Sequence, residues 1–88
     1  MSVYYKANKT LEEFIQDVKD FIRVIANYGE SLDGEKIEYY TNGSVIFIIN
    51  MNNRILKGAS KLYQLVEGLF AEGEYENGEI KKIFLYKW

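Results

Sequence analysis

At 88 residues the chain has room for one domain, spanning 1–88, built on one hydrophobic core. The absence of Cys excludes disulfides and thiolate metal sites, and the absence of His removes the commonest zinc ligand and the usual general base near neutral pH. A formal charge of −2 argues against a dedicated binder of phosphate backbones, so the expectation is a non-enzymatic domain with no metal or cofactor.

In chain order, Val3-Tyr4-Tyr5-Lys6 reads as a short strand, being β-branched and aromatic. Thr10 followed by Glu13 is a capping box. Behind it Leu11, Phe14, Ile15, Val18, Phe21, Ile22 and Ile25 recur at helical spacing. This predicts a helix from Leu11 to about Asn27, closed by Gly29.

A polar loop, Glu30 to Gly34, leads to strands at Lys36–Thr41 and Ser44–Met51, joined at Asn42-Gly43 by an expected two-residue type I′ turn. Such a turn sets Tyr40 against Val45, Tyr39 against Ile46, Glu38 against Phe47 and Ile37 against Ile48. Paired residues share a face. One side of the hairpin then holds Ile37, Tyr39, Ile46 and Ile48, the other Glu38, Tyr40, Val45, Phe47 and Ile49.

The middle segment admits two readings. Ile55, Ala59, Leu62, Val66 and Leu69 form one helical stripe, predicting a helix from about Arg54 to Ala71. Against it, Arg54 and Lys57 oppose the helix dipole and Gly58 is a poor early-helix residue. The alternative makes Arg54–Lys57 an extra strand across an Asn52-Asn53 turn, with a helix starting at Ser60. The alternating, aromatic segment Glu79–Trp88 closes the chain as a strand, and Asn77-Gly78 joins it to Glu74-Tyr75-Glu76 in a small hairpin.

The preferred order is therefore β-α-β-β-α-β, an α+β ferredoxin-like domain with two helices on one face of an antiparallel sheet. The alternative is a central three-strand meander. Directing Ile37, Tyr39, Ile46, Ile48, Ile83 and Leu85 at the helices leaves an aromatic open face. Its candidate partner-binding residues are Tyr4, Tyr40, Phe47, Phe84, Tyr86 and Trp88. A second candidate surface is acidic: Glu13, Asp17 and Asp20 on the helix, with Glu74 and Glu76 near the last turn.

These features point to a protein-interaction module, an inhibitor or adaptor, that binds a protein partner or a second copy of itself. The same element order is similar to the RNA-recognition-motif fold, in which central-strand aromatics stack bases. That resemblance implies single-stranded RNA or DNA on Tyr4 and Phe47. The chain departs from the motif where it lacks a basic residue before Gly43 and has Ser44 and Ile46 at the aromatic positions. Net charge also disfavours nucleic acid. No run nears the roughly 18 apolar residues of a membrane span, and the segment MSVYYKANKT has no signal-peptide pattern, so a cytoplasmic location is expected.

Overall fold

The first helix begins where its capping residues place it. In the computed structural model, which describes residues 9–86, α1 spans Leu11–Asn27. Glu13 N–H donates to Thr10 Oγ1 (3.2 Å), and Thr10 N–H donates to Glu13 Oε1 (2.9 Å). The other end is a Schellman motif. Gly29, at φ +74°, donates to Ala26 O, and Glu30 N–H reaches back to Ile25 O. Phe14, Val18 and Ile25 are the fully buried face of this helix.

Every later element is a strand: β1 Gly34–Tyr39, β2 Val45–Asn52, β3 Ile55–Leu56, β4 Gly58–Gln64, β5 Gly68–Glu76 and β6 Glu79–Leu85. They form one antiparallel sheet in the order β1-β2-β4-β5-β6, with β3 beside β2. The fold is α+β, one N-terminal helix followed by a meander-like sheet. The two-helix β-α-β-β-α-β expectation is thereby corrected. The strand expected at residues 3–6 lies outside the described residues.

The Arg54–Ala71 helix fails because the segment's small and polar residues suit a strand register. Ser60, Leu62 and Gln64 are buried, while Ala59 and Lys61 are exposed. That is a period of two, which lays one side of a strand on a core. A two-residue turn at Asn53-Arg54, both at positive φ, pairs Ile55–Leu56 with Asn52 and Met51. Gly58, at φ +90°, then lets the chain bulge and rejoin β2, with Ile48 facing Lys61 and Phe47 facing Leu62. Across the bulge Asn50 Nδ2 donates to Ala59 O (2.9 Å), standing in for a ladder bond.

The β1–β2 tip is a three-residue loop, not the expected type I′ turn. Tyr40 N–H donates to Ser44 O (2.7 Å) and Gly43 N–H to Tyr40 O (2.9 Å). Of the loop residues Thr41, Asn42 and Gly43, only the glycine has positive φ. The longer loop slips the register so that Tyr39 faces Val45. A bulge at Ile46 takes the slip back, and Glu38 faces Phe47 and Ile37 faces Ile48 as the sequence reading expects. Gly43→Val should cost about 1–3 kcal/mol, because a β-branched residue resists φ +91°. Thermal melting tests this, and a midpoint within a degree or two of wild type would show that the loop relaxes freely.

The core lies between α1 and one face of the sheet. Phe47, Ile49 and Met51 of β2, Leu62 of β4, and Ala71 and Tyr75 of β5 are buried there with the helix residues. Phe21 meets Phe47 edge-on, with centroids 5.4 Å apart. A bulge between Leu62 and Tyr63 leaves Phe70 unpaired, and its ring stacks on Phe14 at 5.6 Å. The bulge has turned an outward position toward the helix.

Candidate functional site

The sheet face that no other element among the described residues covers is built from residues of opposite parity to the core. Ile37, Ile48, Lys61, Glu72 and Phe84 face one another in a row across β1, β2, β4, β5 and β6. A second row sets Glu35 against Asn50, and Ala59 against Glu74 and then Lys82. This surface is mixed, with charges of both signs and few large apolar groups, as expected of a sheet face open to water.

The aromatic open face therefore needs correction strand by strand. Phe47 is fully buried against Phe21 and cannot contact a partner or stack a base. Tyr40 is half-buried and its hydroxyl donates to Tyr63 O (2.8 Å), pinning the hairpin tip to β4. Burial, and then the nearby Asp17 carboxylate, raise its pKa. Tyr4 and Trp88 lie outside the described residues. Phe84 and Tyr86 do stand on the open side, 67% and 42% exposed.

The hairpin is inverted at Ile37 and Ile48, whereas Ile46, in the bulge, packs against the core as expected, and the inversion had a readable signal. In Val45–Asn52 the asparagines 50 and 52 share parity with Ile46 and Ile48, whereas Met51 shares parity with Phe47 and Ile49. Two amides on one side and a third large apolar group on the other assign the core face. On β6 the expected parity holds at the centre, with Ile83 packed on the core and Phe84 outward. Leu85, expected inward, is 57% exposed at the strand's end.

The acidic candidates do not converge. Glu13 serves the helix cap. Asp17 pairs with Lys9 Nζ (2.5 Å), and Asp20 accepts from Arg23 (2.7 Å) and Gln16 (3.0 Å). Glu74 is on the face opposite the helix, facing Lys82, and Glu76 sits by the Asn77-Gly78 turn. Among the described residues no group of three acidic side chains is placed to hold a metal ion.

What does converge is a shallow groove of about 230 Å³ on the open side of β4, β5 and β6. Lys61, Glu72, Glu74, Lys82 and Phe84 line it, with Ala59 at its floor. At its margin Tyr86 has its hydroxyl pKa raised, first by a hydrogen bond to the Glu72 carboxylate, then by desolvation and by that carboxylate's charge. Sequence parity found both aromatics but not the groove, which depends on the β4–β5 pairing that brings Ala59 next to Glu74.

No helix among the described residues is long and apolar enough to cross a membrane. No family model, curated protein or solved structure matches the chain significantly.

Proposed function

We propose that this domain is a non-enzymatic protein-interaction module, an inhibitor or adaptor, whose working surface is the β5–β6 side of the open sheet face. The observation that carries this reading is Phe84, a large aromatic left 67% exposed at the rim of a groove. Exposed aromatics of this kind supply contact area at small entropy cost and dominate interfaces when a partner covers them.

The charges around it favour a protein over a polyanion. Lys61 faces Glu72 and Lys82 faces Glu74, so both lysines that line the groove have an acid as cross-strand neighbour. A phosphate backbone would meet no net positive stripe here. A polypeptide segment offering one apolar side chain to the groove and charges of both signs matches the surface better.

Phe84→Ala tests this directly. Replacing an exposed side chain should move the melting temperature by less than about 4 °C, while partner affinity should fall roughly 30-fold, the mark of an interface anchor. The measurement is quantitative affinity purification with wild-type, Phe84→Ala and Val66→Ala baits, Val66 being 74% exposed on the β4–β5 turn, away from the groove. If Phe84→Ala retains every protein that the wild type and Val66→Ala retain, this surface is not the working one.

A further inference from the structure

The outer edge of β1 is self-complementary. Tyr40 N–H bonds across to Ser44, and Asn50 O accepts from Lys57 on the other side of β2, away from β1. In an antiparallel ladder these bonds alternate between neighbours. Gly34, Lys36 and Glu38 thus direct their backbone groups at β2, and Glu35, Ile37 and Tyr39 direct theirs outward. Among the described residues no strand pairs with that outer edge. Tyr39 N–H is instead covered by the carboxylate of its own neighbour Glu38 (3.1 Å).

We infer that β1 pairs antiparallel with β1 of a second copy of this chain, about a two-fold axis at Ile37, joining two sheets into one. In that register Ile37 faces Ile37 of the second copy and Glu35 faces its Tyr39. These outward-directed residues exchange two backbone hydrogen bonds per pair. Lys36 falls opposite Glu38 of the second copy, and Glu38 opposite its Lys36. Both are non-hydrogen-bonded pairs, where side chains come closest.

The Glu38 carboxylate leaves Tyr39 N–H for the lysine, and a carbonyl of the second copy takes its place on that N–H. On the open face the Ile37–Ile48 contact becomes a continuous stripe of four isoleucines, two from each copy.

Neighbouring registers are worse. Shifting the axis to Lys36 sets lysine against lysine, and shifting it to Glu38 sets glutamate against glutamate. The other edge, β6, offers no equivalent. A two-fold axis at Ile83 places Lys82 against Phe84, and the nearest acid, Glu79, already pairs with Lys81 (3.2 Å). Lysines there blunt the edge. The self-pairing uses a surface apart from the Phe84 groove and stands whether or not that groove binds a partner.

Charge reversal tests the register. Wild-type protein, followed by sedimentation equilibrium, should pass from one-chain to two-chain mass below about 1 mM, a weak interface for a single strand pair. Lys36→Glu and Glu38→Lys should each raise the dissociation constant about tenfold or more, since each turns two attractive pairs repulsive. The double variant Lys36→Glu/Glu38→Lys should restore it to within about threefold, because the pairs re-form with signs exchanged. Phe84→Ala should leave it unchanged.

Amide exchange at Ile37 and Tyr39 should slow as concentration rises, confirming the edge used. A wild type that stays monomeric at about 1 mM overturns the proposal. So does a double variant no better than the singles, or protection of Ile37 that is independent of concentration, which would mean the edge is covered within one chain.

Discussion

Phe47→Ala should cost about 3–5 kcal/mol of folding stability, the range for truncating a fully buried aromatic. The ring has no exposed surface, sits edge-on to Phe21, and lies in the row that continues through Leu62 and Ala71. Truncation removes its burial and leaves a cavity between α1 and β2 that neighbours on a rigid sheet cannot close. A domain of this size has about 5–15 kcal/mol in total, so the variant should unfold at much lower denaturant or not fold cooperatively at all. Ile48→Ala, one residue on and facing the open side, is the control and should cost far less. Equal midpoint shifts for the two variants would mean that the sheet faces are assigned the wrong way round.

That contrast marks what the sequence made legible. The α1 boundaries followed from residues whose chemistry acts locally: the Thr10–Glu13 box, the helical stripe and Gly29. Local signals decide helix ends because the orphan N–H and C=O groups there must find partners within a few residues. The pairing of Ile37 with Ile48 and of Glu38 with Phe47 was legible for a weaker reason. A three-residue loop and a bulge at Ile46 shift the register in opposite senses and cancel. Which face of the hairpin is core is a tertiary property, and a set of four apolar residues on either side left it open. Asn50 and Met51 would have decided it.

The middle of the chain was harder because its apolar residues satisfy two periods at once. Leu62, Val66 and Leu69 fit a helix, while Ser60, Leu62 and Gln64 fit a strand only if a serine and a glutamine are accepted as buried residues. Both are, at 2% and 4% exposure, because each has a partner that no local rule supplies. Ser60 Oγ donates to Gly73 O across the ladder (3.3 Å). Gly73 in turn is required where it stands, since a Cβ would lie 2.9 Å from Ile80 Cδ1 and 3.2 Å from Lys82 O. The candidate groove inherits this difficulty: its floor exists only once β4 and β5 pair, so a reading that makes 54–71 a helix cannot find it.

Gln64 carries the second large effect. Its side-chain amide behaves as a piece of backbone: Oε1 accepts from Lys9 N–H (2.7 Å) and Nε2 donates to Lys9 O (2.8 Å). Lys9 directly precedes the N-cap, and its ammonium also reaches Asp17, so this clamp fixes the start of α1 to the end of β4. Gln64→Leu keeps the burial and nearly the shape but leaves both Lys9 groups without that partner, which should cost roughly 2–3 kcal/mol. Gln64→Glu separates hydrogen bonding from packing. A carboxyl group can reproduce both bonds only while it keeps its proton to donate to Lys9 O, so folding should raise its pKa. The sign follows from linkage: the unfolded chain ionises first, near pH 4.3, so stability is fullest below that pH and declines as pH rises through the folded value. Denaturation of Gln64→Glu across pH 3.5–8 should therefore show a stability deficit against wild type that grows with pH, whereas the deficit of Gln64→Leu should be constant. A Gln64→Glu deficit that does not change with pH would show that the clamp matters for its shape and not for its hydrogen bonds.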